Sequence, residues 1–224
     1  MSSIKRPRIS ANKLGEYIKS SPFRRREIVR NQKYPKGFVV TRYNDAKATI
    51  IDYFLNQKGD KDQVERKIKS LIQKSYASPF RNQDNSLSIK ALEIFQESKT
   101  VDLVKYEVRR YSKDLDKLVV EGVEISVEPE IIIRGAIRGV EFIGAVKIHL
   151  SKNHPLDSET GKYVATLLKD FLERNHPKKN VKPDFCISLD IFTGKYFTAP
   201  RAFKSLRKDI EAACYEIKLL WESL

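Results

Sequence analysis

Between Val123 and Lys152 the chain reads VEISVEPEIIIRGAIRGVEFIGAVKIHLSK, a stretch that gathers acids, a lysine and a histidine at strand spacing. Successive side chains of an extended strand point to opposite faces. In the first run Ile125, Val127, Ile131 and Ile133 therefore share one face, and Glu124, Ser126, Glu128 and Glu130 share the other. In the second run Val140, Phe142, Val146, Ile148 and Leu150 form an apolar face, with Glu141, Ala145, Lys147 and His149 opposite. The neighbouring pair Glu128 and Glu130 on the polar face of the first run, with a lysine placed to meet Glu130 across a strand pair, combine hard oxygen ligands with a positive charge. Carboxylate oxygens suit a hard divalent cation, and a lysine beside them suits an anionic group.

The elements needed to hold these residues follow in order. Asp157 to Arg174 predicts a helix capped at Asp157 or Ser158, with Tyr163, Val164, Leu167, Leu168 and Phe171 on its apolar stripe. Two strand-like runs, FCISLDIF and KYFTAP, are joined at Thr193-Gly194, and a closing helix runs from about Ser205 to Glu222. Between them Asn175 to Pro183, NHPKKNVKP, reads as a polar loop.

With Pro129-Glu130 on one strand and Ala145-Val146-Lys147 on the next, this order resembles the PD-(D/E)XK nuclease superfamily, in its RecB/Cas4-like branch. The resemblance covers the C-terminal half to two-thirds of the chain. It implies an α+β, restriction-endonuclease-like mixed-sheet core flanked by helices. It also implies that Glu130 holds a divalent metal, and that Lys147 positions the attacking water or stabilises charge on the phosphate. The branch's Gln-x-x-x-Tyr helix motif falls on Glu159 and Tyr163, and its additional helix acid on Glu93. The middle acid of the motif is replaced by Ala145. Loss of an oxygen ligand weakens Mg²⁺ binding, and the neighbours placed to compensate are Glu128 and His149, the latter favouring Mn²⁺. The expectation is a DNA-binding protein that is degenerate or weakly active as a metal-dependent phosphodiesterase, using Mg²⁺ or Mn²⁺ if active and no cofactor otherwise. The alternative is a non-catalytic DNA-binding or scaffold subunit of a repair or phage-defence complex.

Charge supports a polyanionic partner. The 224 residues carry a formal net charge of +14, more than solubility requires, and such an excess favours nucleic acid through counterion release. The excess is concentrated before Asp45, where Lys5, Arg24, Arg25, Arg26, Arg30, Lys33 and Lys36 are among twelve cations opposed only by Glu16 and Glu27. Arg24, Arg25, Arg26, Arg30 and Lys33, with Lys152 beyond the lysine strand, are the expected phosphate contacts. Helical spacing of Leu14, Tyr17 and Ile18, and Ser21-Pro22 as cap and first-turn proline, make the segment helical. Further helices are expected over Arg42 to Gln57, ended by Gly59-Asp60, then Asp60 to Lys74 and Asn85 to Ser98. The division expected is a basic helical lobe over residues 1–78 and a nuclease-like core over 79–224.

Cys186 and Cys214 are too few for a disulfide framework and are expected as buried thiols. His149, His154 and His176 are too dispersed for a zinc motif. No apolar run reaches membrane length and the N-terminus lacks a secretory apolar segment, so the expected location is cytoplasmic, without a membrane partner.

Overall fold

The computed structural model describes residues 6–35, 42–56, 61–112 and 115–224. Lys5, Lys36 and the Gly59-Asp60 turn lie outside them. Among the described residues the architecture is mixed α/β, with seven helices and two mixed sheets. In chain order the elements are β1 (Arg8–Ser10), α1 (Ala11–Lys19), α2 (Pro22–Lys33), α3 (Asn44–Leu55), α4 (Lys61–Ile72), α5 (Pro79–Glu97), β2 (Glu107–Arg110), β3 (Leu118–Val120) and β4 (Val123–Ser126). They continue with β5 (Ile131–Ile137), β6 (Val140–His149), α6 (Ser158–Asn175), β7 (Val181–Asp190), β8 (Lys195–Thr198) and α7 (Lys204–Ser223).

The larger sheet has the order β2-β5-β6-β7-β8. β5 and β6 form an antiparallel hairpin, and β6 and β7 run parallel, which requires a crossover that α6 supplies. Helices cover both faces. On one, Ile143, Ala145 and Cys186 pack with Leu14, Tyr17, Leu167, Leu168, Ile217 and Trp221 of α1, α6 and α7. On the other, Ile131, Ile133, Val146 and Ile148 pack with Ile50, Phe54, Leu92 and Phe95 of α3 and α5. The smaller sheet, β1-β4-β3, sits with the first cluster through Ile9, Leu118, Val123 and Ile125. Residues of the first 78 positions enter both clusters: Leu14 and Val29 join the first, Ile50 and Leu71 the second.

Two strand expectations are corrected. The run from Val123 to Ile133 is two strands in different sheets, so Ile125 and Val127 enter one core and Ile131 and Ile133 the other. The break lies where Glu128 takes φ 34°, a left-handed conformation, followed by Pro129, which has no N–H to give a ladder. The second correction concerns β6. Its supposed polar face is buried at Ala145 and at His149, because the strand is central and covered by helices on both sides. The expected loop over Asn175 to Pro183 is also shorter, since β7 already begins at Val181, and α5 starts at Pro79 rather than Asn85.

The caps follow the residues expected to make them. Asp157 accepts from the backbone N–H groups of Glu159 and Thr160 at the start of α6. Gly194 turns the β7–β8 hairpin at φ 64°, a conformation glycine adopts without steric cost. Cys186 and Cys214 are free and buried.

Candidate functional site

Glu130 stands one residue before β5, where its backbone N–H donates to the Val146 carbonyl at 2.9 Å. That register brings its side chain against Lys147. One carboxylate oxygen, Oε1, lies 2.6 Å from Nζ of Lys47 on α3 and 3.3 Å from Nζ of Lys147. The other, Oε2, accepts the Ile148 backbone N–H at 2.6 Å. Lys147 also donates to the Glu128 carbonyl at 2.6 Å. The Glu130 side chain is 5% exposed and that of Lys147 13%, whereas Lys47 is 41% exposed at the rim. Burial pushes the Lys147 ammonium below the ordinary lysine range, opposed by Glu130 and assisted by the charge of Lys47.

Around this cluster opens a cleft of about 330 Å³ lined by Asn44, Lys47, Arg110, Tyr111, Glu128 and Lys147, among others. Arg110, at the end of β2, pairs with Asp52 of α3 at 2.9 Å. The cleft is thus walled by an α3 turn, the end of an edge strand, and the β4–β5 connection.

The residues present do not fit a catalytic divalent ion. Such an ion needs several hard oxygen donors converging on one point. Both oxygens of Glu130 already face ammonium or N–H donors. Glu128 lines the same cleft, but its Oε1 receives the Ser126 hydroxyl at 3.0 Å. Ala145, at the place of the middle acid, is fully buried in the apolar core. Among the described residues no three His, Cys, Asp or Glu side chains form a metal-binding group.

The other expected ligands lie elsewhere. Glu93 is exposed on α5 and does not line the cleft. His149 is buried at the end of β6, with Nε2 2.7 Å from the His154 carbonyl and 3.9 Å from Oδ2 of Asp190. Burial lowers its pKa from the ordinary histidine value, with the His154 carbonyl and Asp190 pulling the other way. Glu159 and Tyr163 share α6 but serve other contacts. Glu159 pairs with Lys19 at 2.7 Å, and the Tyr163 hydroxyl donates to Asp209 at 2.9 Å. Neither lines the cleft.

The arginine run of α2 divides by helical position. Arg24 is tied to Glu16 at 2.6 Å and Glu27 at 2.8 Å. Arg25 donates to the Tyr17 and Ile18 carbonyls and pairs with Glu216 of α7 at 3.1 Å, so it locks the helices together. Lys33 donates to the Trp221 carbonyl at 2.7 Å. Arg26 and Arg30 are exposed without an ion-pair partner among the described residues, and Lys152 is exposed beyond β6. Lys47, the nearer of the two lysines to Glu130, has no sequence signature of that role. It sits beside Ala46 on a helix marked by its apolar face, and no local signal ties it to a strand so far downstream.

No protein-family model matches the chain, and no curated protein matches it in sequence.

Proposed function

We propose that the protein binds nucleic acid, DNA foremost, on a nuclease-like core in which an internal ion-pair cluster occupies the catalytic position. The observation that carries this reading is the commitment of both Glu130 oxygens to Lys47, Lys147 and the Ile148 N–H, with Ala145 in place of a second acid. A carboxylate so engaged is a counter-ion that tempers a basic cleft. The net charge of +14 supplies the long-range attraction that phosphate binding uses.

The test is paired. Fluorescence anisotropy with labelled single- and double-stranded DNA over a salt series is expected to show binding that weakens steeply as salt rises, equally in EDTA and in Mg²⁺. Incubation of linear DNA with Mg²⁺ or Mn²⁺ is expected to leave it intact. Cleavage that disappears in both Glu130→Ala and Lys147→Ala would overturn the non-catalytic reading, and absence of salt-dependent binding would overturn the nucleic-acid reading.

A further inference from the structure

The Glu130 cleft does not end at β2. It shares Arg110 and Tyr111 with a second hollow of about 210 Å³, to which Arg109, Arg134 and His176 contribute. This in turn shares Arg134 and His176 with a third hollow of about 430 Å³, where Lys179 and Phe142 lie. The three hollows adjoin through these shared residues and together make a groove that runs from the end of β2 across β5 to β6.

The groove follows β2, which among the described residues pairs only with β5. Arg110 is opposite Ile131 and Glu107 opposite Arg134, so the run from cleft to Arg134 spans three strand steps, about 10 Å. That is the length of about three nucleotides stacked at the roughly 3.4 Å rise of a nucleic-acid strand.

Among the described residues six cations and four acids line it, an excess of two positive charges. The cations are Lys47, Lys147, Arg109, Arg110, Arg134 and Lys179, and the acids are Glu107, Glu128, Glu130 and Glu141. Glu130 pairs with two lysines, Glu107 with Arg109, and Glu141 with Lys179 at 3.5 Å, while Arg110 pairs with Asp52, so those cations are partly neutralised. Arg134 is exposed and has no ion-pair partner among the described residues. The local field is felt by His176, whose pKa is lowered first by burial and then by Arg134 and Lys179. Aromatic surface is present at one end, where the half-buried Tyr111 lines the Glu130 cleft and the adjoining hollow.

We infer that this groove is the track for a single nucleic-acid strand, with Arg134 and Arg109, which share one face of the β2–β5 pair, holding phosphates and the Glu130 cleft receiving the strand at one end. The inference rests on the nucleic-acid reading above and adds the place and the strandedness of the ligand. An unpaired strand is the ligand whose backbone tracks a positively charged groove while its bases stay free to stack. Arg134, at mid-groove, has no ion pair among the described residues to account for it.

The experiment compares Arg134→Glu and Arg134→Lys with wild type, and with Arg26→Glu/Arg30→Glu on α2, against a labelled single-stranded oligonucleotide and its duplex across a salt series. Arg134→Glu is expected to weaken single-strand binding about tenfold and to reduce the salt slope by about 0.7 for each phosphate no longer neutralised, with Arg134→Lys close to wild type. Its thermal unfolding should be unchanged, because the side chain is exposed. The inference is overturned if Arg134→Glu binds the single strand with wild-type affinity and slope while the α2 variant is impaired, or if Arg134 matters for the duplex alone. If the wild-type protein binds neither probe, the underlying nucleic-acid reading falls with it.

Discussion

A carboxylate withdrawn from water needs donors and compensating charge, and Glu130 draws them from three elements: Lys47 of α3, Lys147 of β6 and the Ile148 backbone. Each partner removes capacity that a metal would require. His149 shows the same logic with the opposite sign of charge. It is buried beside the His154 carbonyl and Asp190, with Lys13 and Glu16 of α1 adding opposed fields, and burial is the largest influence, holding its pKa below the ordinary 6.5. The unfolded chain therefore takes up this proton before the native one does, and stability falls as pH drops through and below the unfolded value. Urea unfolding at about pH 7 and about pH 5 is expected to show that loss in the wild type and a flatter dependence in His149→Gln. An equal loss in both proteins would place the acid sensitivity elsewhere.

At the scale of elements, close approach sets what the chain tolerates. A Cβ on Gly161, in the first turn of α6, would lie 2.1 Å from the Phe197 ring of β8. Alanine favours a helix over glycine by about 1 kcal/mol, but the ring and the helix cannot both stay in place. Gly161→Ala is therefore expected to cost about 1–3 kcal/mol in chemical denaturation, with Phe197→Leu restoring part of it. A neutral or stabilising Gly161→Ala would mean that α6 sits farther from the sheet. Elements of this kind were largely legible in the sequence, because their signals are local. Asp157 as cap, the apolar stripe of α6 and the Thr193-Gly194 turn each depend on neighbours within a few residues. The split of Val123 to Ile133 was not legible. Alternation continues unbroken through Glu128 and Pro129, and only the left-handed backbone at Glu128 sends the two halves to different sheets. The Glu130–Lys147 contact was legible from strand pairing, whereas Lys47 reaches the site through the packing of a helix against the sheet, which no spacing encodes.

For the whole molecule, the excess of positive charge is partly spent inside. Arg24 and Arg25 hold α2 to α1 and α7 through carboxylates and carbonyls, so the basic N-terminal segment works as much in assembly as in attraction. Arg26, Arg30 and Lys152 stay exposed, and on the proposed reading they and the groove that ends at Glu130 serve the partner. In this arrangement Glu130 limits the potential of the cleft, and its charge is the variable that separates a tempered binding site from a metal centre. The direct measurement is the affinity of Glu130→Gln for single-stranded DNA in EDTA and in Mn²⁺, with a cooperative thermal melt confirming that the variant is folded. Glutamine keeps an acceptor for the Ile148 N–H while releasing both lysines, so binding is expected to tighten roughly fivefold, the equivalent of about 1 kcal/mol, in either condition. Weaker binding than wild type in Mn²⁺ alone, accompanied by loss of metal-dependent cleavage, would contradict the account and restore Glu130 as a metal ligand.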